Sequence, residues 1–304
     1  MSWTDMTQLT NCYGWFKPES LASSYANGDP ISSWADSSGN GRDLSQATSA
    51  NQPLALANAV NGHMAADFDG INDFLSSNSY TQSGDVVVSM VFSMDALKNY
   101  NGVFQVNSSS SGAWNTGNAW ATQVFYTSGY YFFFSMTPTY NYLGNNSFTE
   151  KFLSANNYYI VTHSLCSKGR HVKIDGTNIA VNSASGDTAS PPSATAYMFM
   201  GRTIDELDGK ISEVVVYDAV DTDFSEVCWV EGYLADKYAI TLPDGHLFKN
   251  EPPANPPTMY NPSSSGGGSS SPTYTSTAGT QIYPFRTLAE DDFDKGGTKF
   301  HPLS

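Results

Sequence analysis

Between Leu207 and Tyr238 the sequence LDGKISEVVVYDAVDTDFSEVCWVEGYLADKY passes directly from a strand pattern into a helix pattern, a pairing few folds accommodate. Lys210–Tyr217 sets Ile211, Val214, Val215, Val216 and Tyr217 around Ser212 and Glu213, a β-branched run of the length of a buried strand. Asp221, Thr222 and Asp223 then offer oxygens to the amides of a first helical turn, and Asp223 has Glu226 three residues on, the spacing of a capping box. Phe224, Val227, Val230, Leu234 and Tyr238 recur at helical spacing, so one stripe of this helix must be buried. The carboxylates of the stretch read as groups that cap and solvate.

The remaining pattern is almost entirely β. Strands are expected over Asp85–Met94, Val103–Val106, Thr122–Tyr126, Tyr130–Met136, Tyr158–Ser164, His171–Asp175, Asn178–Val181 and Tyr197–Gly201. They are short and separated by Gly, Asn, Ser and Pro, which favours an antiparallel sandwich over a parallel sheet. His171–Ile179 reads as a hairpin turning at Asp175-Gly176, where glycine adopts a positive φ at little cost. With 304 residues and 40% hydrophobic content, one sandwich domain over 1–250 buries a full core.

Several blocks resemble the concanavalin A-like, laminin G-like jelly rolls. They are Gly14-Trp15-Phe16-Lys17, then Trp34-Ala35-Asp36-Ser37-Ser38-Gly39-Asn40-Gly41 running on to Leu44, then Asn61-Gly62-His63 with Phe68-Asp69-Gly70-Ile71-Asn72-Asp73-Phe74-Leu75. The closing block is the Gly209–Tyr217 strand with its helix, followed by Leu242-Pro243-Asp244-Gly245-His246. The resemblance spans Cys12 to about Pro253 and implies an all-β antiparallel jelly-roll sandwich with one late α-helix. Retaining glucanases of that fold carry a Glu-x-Asp-x-x-Glu or Glu-x-Asp-x-Glu strand, which is missing here. The expectation is therefore a chain that is not an enzyme.

From Glu251 the composition turns to Pro, Ser, Gly and Thr, a linker over 251–280 that cannot bury enough apolar surface to order itself. Residues 281–304 regain apolar anchors in Ile282, Tyr283, Phe285, Leu288, Phe293 and Phe300, the pattern of an extended docking arm for a partner protein. The net charge of −15 repels phosphate backbones and anionic surfaces, so neither nucleic acid nor membrane is expected as a partner. The N-terminal residues lack a basic region followed by an apolar one, and no stretch reaches transmembrane length. A lectin-like domain made in the host cytoplasm without a secretion signal suggests a bacteriophage virion protein, a capsid decoration, head fibre or tail-associated component. Other virion proteins would hold its arm, and it would form a homo-oligomer. The alternative is a carbohydrate-binding receptor-recognition module for a cell-surface glycan, assisted by calcium.

Two constellations carry chemistry. Asp69, Asn72 and Asp73 lie in the chain's densest run of oxygen ligands, and calcium (Ca2+) needs six to eight hard oxygens at about 2.3–2.6 Å. The same residues in the same order also build an ordinary turn. Trp114, Trp120, Tyr140 and Tyr142 sit among Ser, Asn, Gly and Pro, so they are expected on loops as an exposed patch that stacks on sugar rings or anchors a protein. Cys12, Cys166 and Cys228 are too few and scattered for a disulfide framework or a zinc site, and the five histidines lack ligand spacing.

Overall fold

The computed structural model describes residues 9, 12–82, 86–96, 98, 101–112, 119–126, 130–136, 153–166, 169–182, 194–218, 225–250, 253, 274–275 and 281–282. The chain divides into two units, Met1–Thr258 and Met259–Ser304. In the first unit the order begins β1 (Cys12–Phe16), α1 (Pro18–Ala22), β2 (Ser33–Trp34), β3 (Leu44–Ser45), β4 (Leu54–Val60), β5 (His63–Asp69), β6 (Leu75–Ser77), β7 (Tyr80–Gln82) and β8 (Val86–Met94). It continues through β9 (Asn101–Asn107), β10 (Ala119–Tyr126), β11 (Tyr130–Met136), β12 (Tyr158–Cys166), β13 (Gly169–Ile174), β14 (Thr177–Asn182), β15 (Ala194–Met200), β16 (Asp208–Tyr217) and α2 (Ser225–Tyr238). In the second unit β17 (Tyr274–Thr275) pairs with β18 (Gln281–Ile282). Among the described residues no helix is long and apolar enough to cross a membrane.

Two antiparallel sheets make an all-β sandwich. Sheet 1 runs β14-β13-β12-β8-β16-β5-β4, and sheet 2 runs β11-β10-β9-β15-β6-β3-β2, with β7 also paired to β15. β16 is the spine of sheet 1: one edge pairs with β8, while the other is shared by β5 along Asp208–Ile211 and by β1 along Val214–Tyr217. Sheet 1 is covered on both faces, which explains the apolar run of β8, VVVSMVFSM, interrupted only by the buried Ser89 and Ser93. Val86, Val88, Met90, Phe92 and Met94 face the sandwich interior, whereas Val87 and Val91 join the layer beneath α2. That second layer takes Val227, Val230, Leu234 and Tyr238 from the helix, the stripe its spacing predicts. Phe224 and the capping residues Asp221, Thr222 and Asp223 lie outside the described residues.

The carboxylates of this closing stretch behave differently from the expectation that they cap and solvate. Glu213 and Glu231 are fully buried and Glu226 nearly so. Glu213, on the α2 side of β16, is satisfied from four directions. Its Oε1 accepts from Trp15 Nε1 at 2.7 Å and from the Tyr233 hydroxyl at 3.0 Å. Its Oε2 accepts from Lys237 Nζ at 2.7 Å and from the Tyr238 hydroxyl at 2.7 Å. A buried carboxylate is tolerated only when its lone pairs are met in this way.

Turn chemistry closes the opposite edges. Asp175 and Gly176 both take positive φ, as the hairpin between β13 and β14 requires. The Asp36 carboxylate gathers the amides of Trp15, Ser38 and Arg42 and the Ser38 hydroxyl, so the Trp-x-Asp-x-Ser-Gly-Asn-Gly block is a structural staple on β1. Between β5 and β6, Asp69 Oδ1 accepts the amides of Ile71 at 2.8 Å and Asn72 at 3.3 Å, while Asp73 Oδ2 accepts the Asp69 amide at 3.1 Å.

Two consequences are measurable. Glu213→Gln keeps the shape but not the charge that four donors converge on, and it should lower unfolding stability by about 3–5 kcal/mol in denaturant titrations; a wild-type midpoint would show that the cluster contributes little. Burial, reinforced by Asp69 and Asp67, pushes the Asp73 carboxyl up to about 6. The folded chain then binds that proton more tightly than the unfolded one, so the stability it lends is complete below about pH 4 and is lost as pH rises through about 6. Asp73→Asn retains an acceptor for the Asp69 amide without titrating. Its denaturation midpoint should fall less than that of the wild type between about pH 4 and pH 7.

Candidate functional site

β9, β10 and β15 form the middle of sheet 2, and their alternate residues face opposite ways. Phe104, Val106, Trp120 and Val124 point into the sandwich. The other face of these strands is set by the register: Gln105 pairs with Ala121 and with Phe199, and Gln123 pairs with Gly102 across an irregularity in the ladder. This outer face is buried but not apolar. Gln105 and Gln123 are each 0% exposed, and Ala121 and Phe199 almost equally buried.

Their hydrogen bonding is incomplete. Gln105 Nε2 donates to the Gly112 carbonyl at 2.7 Å, while its Oε1 has no partner. Both amide atoms of Gln123 are buried without a partner. Thr203 belongs to the same place: a Cβ at Gly102 would lie 2.6 Å from Thr203 Oγ1 and 2.3 Å from the Asp205 carbonyl, so only glycine lets that turn settle on the sheet opposite Gln123. Thr203 Oγ1 is likewise buried and unpartnered. Unpaired buried polar atoms cost about 1–3 kcal/mol each, so this many on one face call for a polar occupant. The groups offer both donors and acceptors and no charge.

The residues singled out from the sequence fare unequally. Trp120 is corrected: it is 2% exposed and lies in β10, not in an exposed loop. The strand starts at Ala119, which turns Trp120, Thr122 and Val124 inward. There the Trp120 ring stands 6.3 Å from Phe104 and edge-on to His163 at 6.0 Å, while Thr122 Oγ1 meets His163 Nδ1 at 2.8 Å. Trp114, Tyr140 and Tyr142 lie outside the described residues, as do Tyr283, Phe285, Leu288, Phe293 and Phe300; Ile282 is described only as part of β18. Asp69 and Asp73 serve their own turn as acceptors, and Lys98 Nζ already reaches the Gly70 carbonyl at 3.0 Å and Asp208 at 3.3 Å. Asn72 Oδ1 is buried there without a partner. Sequence reasoning passed over Gln105, Gln123 and Thr203, because a glutamine in a strand gives no sign of which face will be covered.

No protein-family model matches the sequence, and no curated protein matches it. Solved structures do share the fold. Domain 4 of a GH43 extracellular arabinanase from Geobacillus stearothermophilus, in complex with arabinotriose, superposes with a TM-score of 0.52 at 12% identity, covering 76% of this chain and 100% of that domain. A GH54 α-L-arabinofuranosidase soaked with 4-nitrophenyl α-L-arabinofuranoside gives 0.53 at 13% identity, over 78% of this chain and 61% of that one. An arabinofuranosidase complexed with arabinofuranosyl-α-1,2-xylobiose gives 0.53 at 12% identity with the same coverage. The chain thus spans about three fifths of the arabinofuranosidases it matches. These likenesses establish the β-sandwich and also correct the expectation of a chain that is not an enzyme. The sandwich occurs within glycoside hydrolases, and the missing Glu-x-Asp-x-x-Glu run argues against one glucanase layout alone.

Proposed function

We propose that this protein recognises carbohydrate on the outer face of sheet 2, with Gln105, Gln123 and Thr203 as its polar contacts. The observation that carries the reading is the concentration of buried, unspent hydrogen-bonding atoms on that one face. Sugar hydroxyls donate and accept at once, as an amide side chain does, and each contact then replaces an unmet group instead of a satisfied one. The absence of a charged side chain among these three favours neutral sugars over acidic ones. The fold is compatible with this: structures sharing it were solved with arabinotriose and arabinofuranosyl-xylobiose bound. Trp114, which follows Gly112 by two residues, is the proposed aromatic platform, together with Tyr140 and Tyr142.

The finer placement, in which such a head sits on a virion held by 281–304, rests on the apolar pattern of that arm. Deleting Gln281–Ser304 should abolish incorporation into particles while glycan binding persists.

Neutral arabino- and xylo-oligosaccharides, offered on an array and then by calorimetry, test the recognition directly. Gln123→Leu should weaken binding about tenfold or more, equivalent to about 1.4 kcal/mol or more, while leaving thermal stability unchanged or raised, because a buried unmet amide is removed. Undiminished affinity in both Gln123→Leu and Thr203→Val would refute this location. An assay for new reducing ends on each glycan that binds separates recognition alone from recognition with hydrolysis.

A further inference from the structure

A second group of buried polar side chains collects where α2 meets the segment that follows it. Cys228 and Glu231 stand three residues apart on α2 and therefore share a face. His246 comes from the turn after the helix, walled by the β13–β14 hairpin: a Cβ at Gly176 would lie 2.7 Å from its Cδ2. The thiol, a carboxylate oxygen and a ring nitrogen of these three lie within 4.8 Å of one another, and among the described residues no other group of three His, Cys, Asp or Glu side chains converges in this way.

The carboxylate is half spent. Glu231 Oε2 receives Lys173 Nζ at 2.7 Å and His246 Nε2 at 3.1 Å. Its Oε1 is buried with no partner at all, on a side chain that is 0% exposed. The His246 side chain is almost as buried, while Cys228 is only half-buried and marks the side open to solvent.

The geometry points to a transition-metal site, of the zinc class, ligated by Cys228 Sγ, Glu231 Oε1 and His246 Nε2, with a fourth position open on the Cys228 side. Sulfur, imidazole and a single carboxylate oxygen are a zinc-type donor set, and the sulfur excludes calcium. Zinc bonds of about 2.0–2.3 Å place tetrahedral ligands roughly 3.5 Å apart, closer than the 4.8 Å that now encloses a ligand atom of each side chain, so the three side chains draw in on binding. On binding, the Cys228 thiol loses its proton to solvent as the sulfur joins the cation. Nδ1 of His246 now accepts the Phe248 amide at 3.2 Å, which leaves the ring proton on Nε2. That proton moves to Nδ1 as the metal takes Nε2, and the Phe248 contact is given up. Lys173 stays on Oε2 and orients the carboxylate from behind.

Cobalt(II) titration of the full-length, reduced, chelator-stripped protein tests the site. The expected result is one cobalt per chain with a thiolate-to-cobalt charge-transfer band, lost on adding zinc. Cys228→Ser should abolish the band, and the double variant Cys12→Ser, Cys166→Ser should keep it. His246→Ala and Glu231→Gln should each weaken cobalt binding by roughly tenfold or more. A wild-type protein without the band overturns the proposal without recourse to any variant. So does a band that survives Cys228→Ser, or an affinity that neither His246→Ala nor Glu231→Gln alters.

Discussion

The buried carboxylate of Glu213 is the constraint on which the arrangement of layers depends. Its donors come from β1 through Trp15 and from α2 through Tyr233, Lys237 and Tyr238, while Glu213 itself sits in the central strand β16. Apolar burial is indifferent to small rotations of a helix on a sheet, because any aliphatic stripe can slide over another. Four donors aimed at two oxygens are not indifferent. They fix the helix in azimuth and in height, and the cost of burying the charge makes every other placement worse. Lys237 also reaches Glu19 just after β1, so the same cluster holds the N-terminal segment to the end of the helix.

Fixing α2 over sheet 1 decides where chemistry is left to occur. Sheet 1 is packed on both faces, by sheet 2 on one side and by the helix on the other; Ser89 bonds with both Thr162 and Tyr217, while the Tyr158 and Ser164 hydroxyls of β12 are buried without a partner. Sheet 2, among the described residues, carries no helix like α2. Its outer face carries glutamines where sheet 1 carries valines, and those glutamines have atoms to spare. The asymmetry has a physical logic. Under the proposed reading, the glutamine face keeps groups whose partners arrive with the ligand.

The closing strand and helix, the expected strands and the Asp175-Gly176 hairpin were legible because each announces itself within a dozen residues, through periodicity or through a turn that demands positive φ. β4 and β5 were not: LALANAV and HMAADFD are rich in alanine and interrupted by Asn and Asp, and become strands because β16 offers β5 an edge and β5 in turn pairs with β4. The candidate sites were the least legible part. Trp120 looked like a loop residue because Gly117 and Asn118 precede it, yet one residue of strand before it is enough to turn it into the core. Gln105, Gln123 and Thr203 come from three separated segments, and no local pattern tells a covered glutamine from a solvated one. His246 joins Cys228 and Glu231 only because Glu213 has fixed the helix on which they stand.

The two sites therefore stand in different relations to the same clamp. The outer face of sheet 2 lies across the sandwich from α2, and its register is set by ladder pairings among β9, β10 and β15. The Cys228, Glu231 and His246 cluster is built on the clamped helix itself. Removing the charge of Glu213 should accordingly disturb the helix-borne cluster before it disturbs the glutamine face. Rotation of α2 carries Cys228 and Glu231 away from His246 directly, whereas it reaches Gln123 only through two packed sheets.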